Sequence, residues 1–405
     1  MFYKQEDNLI LTIFWNSLYI AFLLLPLGIN LPTPFFIISI ILGLVNFIKS
    51  NKKFVFENQV VLLFPVYFII MSGSLFYTDN ISYGLNLLQR SLSLLLFPII
   101  FLFVKEDAST VRKLFDFLLL GLIISFFVNF SITIYNLETF LRSPINIWNS
   151  FIRDDFSKLI NSNYLSLYIL LVLSYYLKNN LDSRLRTAVV VILFLYLFLL
   201  ASMAAYMILI IMTLLLIFNI SNRNRRHTMM IMFLLGIIVF FNNPRVSDFY
   251  YRVRNYSTTM EYDNATIEKA RVLSWDASIM LIKEAPLLGY GIGDANDVLV
   301  KKYRELGYTF NYENNYNAHN QFFQTLLQTG ILGLLVLVVI FIVLALRLKR
   351  SRNEFSVFII LFISLLFESM LVRFNGIVFF SIVVPLLLKK RSILSSRIIR
   401  NTLIS

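Results

Sequence analysis

Apolar residues along this chain come in long unbroken blocks, separated by short polar or basic links, with neither strict alternation nor narrow amphipathic stripes over most of its length. A helix needs about 20 apolar residues to cross the hydrocarbon core of a bilayer. Blocks near that length occur at 10–29, 33–48, 58–77, 88–104, 113–136, 164–178, 187–201, 203–220, 228–242, 321–346, 355–372 and 376–388. Only helices and closed barrels satisfy their backbone polar groups in lipid. The pattern therefore predicts an all-α, polytopic membrane protein with about twelve transmembrane helices. The run 187–220 is too long for one span and short for two. Its middle, Ala201-Ser202-Met203-Ala204-Ala205, is small and polar enough for a tight turn, and the run is split there.

The links between blocks alternate in charge. Basic ones hold Lys49/Lys52/Lys53, Lys105/Arg112/Lys113, Lys178/Arg184/Arg186, Arg223/Arg225/Arg226, Arg347/Lys349/Arg350/Arg352 and Lys389/Lys390/Arg391; charge-poor ones lie between. Cytoplasmic loops accumulate Lys and Arg. The alternation holds only with 187–220 as two spans, and it puts both termini in the cytoplasm. The first apolar run lacks a cleavage-site pattern and reads as a retained span. Two outer segments are long. The first, near 137–163, carries Phe140, Ile145, Ile147, Trp148, Phe151 and Ile152 and reads as an amphipathic piece on the membrane face. The second, 243–319, is a large extracytoplasmic loop with helix-like stretches at 264–283 and 293–306. The organisation expected is spans one to nine over 1–242, the large loop over 243–319, and spans ten to twelve with a cytoplasmic tail over 320–405.

Composition narrows the chemistry. Hydrophobic residues make up 58% and charged ones 15%, too few for a soluble chain of 405 residues. The net charge of +13 would suggest nucleic acid in a soluble domain; here membrane topology accounts for it, and no nucleic-acid partner is expected. The absence of cysteine excludes disulfides and thiolate catalysis. With two histidines, no metal site is expected and no cofactor motif is present. His227 follows Arg225-Arg226 in a basic link and reads as solvated. His319 lies where the large loop returns to the membrane. Imidazole titrates near neutral pH and suits general acid or base work there; a satisfied interfacial histidine is the bland alternative.

The loop's cations, Arg245, Arg252, Arg254, Lys269, Arg271, Lys283, Lys301, Lys302 and Arg304, form a solvated face by default, although guanidinium groups are suited to phosphate. Gly289-Tyr290-Gly291-Ile292-Gly293-Asp294 follows no strand, so it is no dinucleotide fingerprint. It reads as a turn before a helix, with backbone N–H groups that could meet an anion. Among ionisable residues near the spans, Glu368 is placed one turn inside the outer end of its span, beside Arg373, and Arg90 at the outer start of another. No span holds a mid-depth carboxylate, which argues against a proton-coupled transporter.

Several of these residues fall into ordered motifs. Arg271-x3-Trp275, then Pro286-Leu287-Leu288-Gly289-x-Gly291-x-Gly293-Asp294, then Asn317-Ala318-His319-Asn320-x3-Gln324-x5-Gly330-x2-Gly333-Leu334 resembles the O-antigen ligase and O-antigen polymerase-like membrane protein superfamily. Glu368-Ser369-Met370-Leu371-x-Arg373-x2-Gly376 and Leu88-x-Arg90-x6-Phe97-Pro98 resemble its last outer turn and its fourth span. The resemblance covers most of the chain. It implies an inner-membrane glycosyltransferase with a periplasmic loop, moving a glycan from an undecaprenyl-pyrophosphate carrier without metal or cofactor. Ligases of this kind pass the glycan to a lipid A–core acceptor, and polymerases to another repeat unit. The family histidine maps onto His319 as the base, and the outer-loop arginine onto Arg271 as a pyrophosphate clamp. Arg373, Arg252, Arg254 and Arg90 are further candidates for the anion, and Glu368, Asn317, Asn320, Gly291, Gly293 and Asp294 are supporting residues. One departure stands out: the family often carries a Ser-Arg pair where spans seven and eight meet, and this chain has Ser202-Met203. A lipid-linked glycan transporter and a non-catalytic assembly protein are the readings of other classes.

Overall fold

A computed structural model describes residues 8–49, 56–104, 108–140, 151, 155–176, 184–217, isolated positions between 223 and 237, 267–349 and 352–389. Among these residues every regular element is a helix. They are α1 (Leu9–Leu24), α2 (Thr33–Lys49), α3 (Leu63–Gly73), α4 (Ile81–Ser91), α5 (Ser93–Phe103), α6 (Ala108–Phe140), α7 (Ser162–Tyr176), α8 (Arg184–Leu200), α9 (Met203–Ile217), α10 (Ile267–Glu284), α11 (Ala295–Glu305), α12 (Thr309–Glu313), α13 (Gln321–Leu348), α14 (Arg352–Phe367) and α15 (Phe374–Leu388). Five stretches are long and apolar enough to cross a membrane, and six shorter apolar helices accompany them. The protein is a multi-pass, all-helical membrane protein.

Contacts divide the chain into two units, Met1–Gly121 with Lys269–Ser405, and Leu122–Glu268. In the first, α1 and α2 pair as a hairpin. Asn8 starts α1 by accepting a hydrogen bond from the Leu11 N–H, and Pro26 and Gly28 follow its end. Lipid offers helices no hydrophobic drive to associate, so close packing must hold them. Gly121 provides it at one crossing: a Cβ there would meet the backbone carbonyl of Leu23. Aromatic rings fill the interior, with Trp15 stacked on Phe101 at 6.2 Å. Every residue of α15 after Phe374 is buried, which makes it the central helix of this unit. Lys389 follows it and donates to the carbonyls of Phe101 (2.6 Å) and Val104 (3.2 Å), satisfying groups that the end of α5 leaves open.

The second unit contains the later part of α6 with α7, α8 and α9. The run 187–220 breaks as expected: α8 ends at Leu200 and α9 starts at Met203, with Ala201 at φ 46°. Ser202 donates to Asn163 Oδ1 at 3.1 Å, fixing that turn to the start of α7. Ser125, Asn129 and the Tyr196 hydroxyl form a buried polar knot between α6 and α8.

Three expected spans differ in kind. The block 88–104 belongs to two helices, because α4 starts at Ile81 and the chain re-forms as α5 after Leu92. The block 355–372 stops as a helix at Phe367, so Glu368 lies past the helix end and not one turn inside it. The block 321–346 is not one straight span. Gly330 has φ 60° and ψ −155°, a conformation essentially confined to glycine. In a straight helix Phe322 and Phe341 would stand about 28 Å apart along the axis; their ring centroids are 6.1 Å apart. A Cβ on Gly333 would lie 3.2 Å from the Thr325 methyl, again impossible without reversal. The chain therefore climbs through 321–329, turns at Gly330 and returns through 331–348.

The 286–290 turn closes this break. The Ile331 N–H donates to the Pro286 carbonyl (3.1 Å), and the Tyr290 N–H donates to the Leu327 carbonyl (2.7 Å). A broken helix leaves such groups orphaned, and here each finds a partner. Gly289, at φ 66°, permits the approach, since a Cβ there would crowd the carbonyls of Leu326 and Leu327. The expected span 228–242, residues 141–150 and 152–154 of the 137–163 segment, and the loop up to residue 266 lie outside the described residues, apart from isolated positions.

Candidate functional site

His319 is held by its own neighbours in the sequence. Asn317 Oδ1 accepts from the His319 N–H at 2.9 Å, and Asn320 Oδ1 accepts from the Phe322 and Phe323 N–H groups. Asn320 is thus the N-cap of α13. Gln324 Oε1 accepts from the Ala318 N–H at 3.1 Å, and the Trp275 indole donates to the His319 carbonyl at 3.4 Å. Between these restraints His319 adopts φ 46°. Few residues other than glycine enter the left-handed region, and a surrounding that over-determines the conformation is how such strain persists. The Tyr316 ring and the imidazole meet in a T-shaped pair, their centroids 5.0 Å apart.

Glu368 stands opposite. One carboxylate oxygen lies 3.4 Å from His319 Nδ1 and the other 3.7 Å from Arg271 Nη2. These are ion-pair separations and not aligned hydrogen bonds; neither ring nitrogen of His319 has a hydrogen-bond partner among the described residues. The site is sheltered, with the His319 side chain 13% and the Glu368 side chain 9% exposed. Burial acts to raise the Glu368 pKa. The His319 contact and the charges of His319, Arg271 and Arg373 outweigh it and hold the carboxyl below its ordinary range.

Three elements bring these groups together. Arg271 comes from α10, whose position is fixed by Asn311 donating to the Ala270 carbonyl (2.7 Å) and by Tyr308 donating to Asp276 (2.6 Å). Trp275, one turn along, packs on Phe323 and Phe367. Glu368 opens the turn that runs through the 3-10 segment Met370–Val372 into α15. Arg373 starts α15 and is exposed.

Not every expected site residue joins this group. Arg90 is exposed in the last turn of α4, well inside the 81–103 stretch and not at its outer start, and it makes no ion pair among the described residues. Arg252 and Arg254 lie outside the described residues. Gly291, Gly293 and Asp294 serve the fold. The Ile292 N–H donates to Ser74 Oγ, and the Gly293 and Asp294 N–H groups to Thr78 Oγ1, so the backbone donors expected to meet an anion are already engaged. Asp294 in turn accepts from the Asp79 and Asn80 N–H groups at 2.7 Å. The motif thereby ties the loop to the link between α3 and α4. His227 is exposed, as expected.

A residue outside the expected set enters here. Gln321 is fully buried, and its side-chain oxygen accepts from the Leu371 N–H at 2.7 Å. Gln321, Gln324, Thr325, Gln328 and Thr329 recur at helical spacing inside an apolar stretch, a signal of a polar face turned inward.

The direction of the Glu368 shift gives a pH test. A carboxyl whose folded pKa lies below its unfolded value contributes stability that is complete above the unfolded pKa, about 4.3 for glutamate. That contribution fades as pH falls through the folded value. Thermal unfolding of the purified protein is expected to lose midpoint more steeply with acidification below about pH 4 in the wild type than in Glu368→Gln. Equal slopes would show that Glu368 is not ionised against these partners.

Residues 188–338 match the family model described as O-antigen ligase, and no curated protein matches the chain. The matched region holds Arg271, the 286–294 motif, His319 and the Gly330 reversal, and it ends before Glu368 and Arg373.

Proposed function

We propose that this chain, whose residues 188–338 carry the O-antigen ligase signature, is an inner-membrane glycosyltransferase moving a glycan from undecaprenyl pyrophosphate to a lipid A–core hydroxyl at the periplasmic face. The observation that carries the reading is the His319–Glu368–Arg271 cluster, drawn from three separate elements into one sheltered place.

The cluster suits the chemistry step by step. Glu368 faces Nδ1 of His319, which leaves Nε2 as the atom that takes a proton. The acceptor hydroxyl oxygen attacks the anomeric carbon, its proton passes to Nε2, and the bond from that carbon to the carrier's pyrophosphate oxygen breaks. The imidazolium formed is stabilised by the Glu368 carboxylate. Undecaprenyl pyrophosphate departs with the bonding electron pair, its charge balanced by Arg271 and Arg373. Pyrophosphate is a good leaving group, so placement, one base and charge stabilisation supply the catalysis.

The test is the surface glycolipid of a strain lacking the gene. Bare lipid A–core together with carrier-linked polymer supports the ligase. Core bearing a single repeat unit replaces it with a polymerase using the same donor. An unchanged profile overturns both.

A further inference from the structure

The Gln321 side chain joins the two halves of the site from behind. Its oxygen holds the Leu371 N–H at 2.7 Å, and its amide nitrogen donates to Thr325 Oγ1 at 3.2 Å. Thr325 Oγ1 shares a hydrogen bond of 3.1 Å with the Tyr67 hydroxyl of α3. All three side chains are buried. Gln321 follows His319 by two residues, and Leu371 follows Glu368 by three. One amide therefore fixes the separation between the backbone that carries the histidine and the turn that carries the glutamate.

The charged groups themselves meet at longer separations. His319 and Glu368 meet at 3.4 Å without an aligned hydrogen bond, and Arg271 meets Glu368 at 3.7 Å. The turn does lean on α15, where a Cβ on Gly376 would strike the Met370 carbonyl. That contact sets the turn against α15 and not against α13. A direct hydrogen bond from the turn to the His319 segment is made through Gln321. Glutamine suits the place because it accepts from a backbone N–H at one atom and donates to a hydroxyl at the other. A carboxylate would keep the first and lose the second, and an apolar side chain of equal length would lose both.

We infer that Gln321 is a positioning residue of the proposed transferase: it holds the Glu368 turn in register with His319 while touching no substrate. The inference rests on the reading of His319 as the base. A displacement of about 1 Å at such a site can cost on the order of 100-fold in rate.

The test compares Gln321→Met, Gln321→Glu and His319→Asn in the purified full chain, using a carrier-linked glycan and its acceptor. For Gln321→Met the expected result is a fall in kcat of about 10- to 100-fold with donor KM changed less than about twofold. Gln321→Glu, which keeps an oxygen for the Leu371 N–H, is expected to recover a clear part of the loss. Unfolding midpoints are measured alongside. A Gln321→Met protein with wild-type kcat overturns the inference, provided that His319→Asn is inactive. So does equal impairment of the Met and Glu variants in step with a fallen midpoint, which would mark a purely structural role. A fully active His319→Asn removes the functional reading itself, a distinct failure.

Discussion

Replacement of His319 by asparagine is expected to lower the transfer rate by about 10²- to 10⁴-fold, the span typical of losing a general base. Asparagine is the informative choice because of the backbone. His319 has φ 46°, and asparagine enters the left-handed region more readily than alanine does. The Asn317, Asn320 and Gln324 hydrogen bonds all involve backbone groups of the segment, so they survive the substitution. What is lost is the imidazole opposite Glu368. The measurement is transfer by purified protein, with donor affinity and unfolding midpoint followed in parallel. A rate loss with intact donor affinity fits a base that works on the acceptor. Undiminished transfer would leave the Glu368 contact as a structural ion pair and remove the base from the proposal.

The parts of the molecule that could be read from sequence are those set by local rules. The hydrocarbon thickness dictates block length, so α1, α2, α9 and α15 lie where the apolar runs put them. The turn at Ala201-Ser202 was legible because small and polar residues interrupt an otherwise continuous run. The meeting of Arg271, His319 and Glu368 was legible only in part. A histidine where the loop returns to the membrane suggested chemistry, and Glu368 beside Arg373 suggested a charge partner. That the carboxylate bridges His319 and Arg271 depends on how α10 and the 368–372 turn are folded together, which no local pattern encodes. The glycine motif at 289–294 was legible as a turn before a helix, but its hydrogen-bond partners were not. Its backbone donors look available in sequence, yet Ser74 and Thr78, distant in the chain, take them. The block 321–346 misled most. Hydropathy cannot tell one long span from a helix folded on itself, and the inward polar face of 321–329 was the one local sign of the difference.

Among the described glycines, substitution of Gly330 by alanine is expected to be the most damaging. The position combines two constraints. Its φ of 60° with ψ of −155° costs a residue with a side chain on the order of 1–3 kcal/mol. Its Cβ would also enter the backbone of Leu287 and Leu288, which cannot rotate away as a side chain can. Relief requires the 286–290 turn to move off α13, and that breaks the hydrogen bonds from Ile331 to Pro286 and from Tyr290 to Leu327. Gly307 provides the control. It also has a positive φ, 72°, but nothing lies within 4 Å of its Cβ position. Gly307→Ala should therefore cost only the conformational penalty, about 1–2 kcal/mol. The comparison is read from accumulation in the membrane and from unfolding midpoints in detergent. Loss of folded protein for Gly330→Ala with modest destabilisation for Gly307→Ala fits a helix that reverses against the loop. Equal, mild effects would mean that the segment 321–348 runs straight.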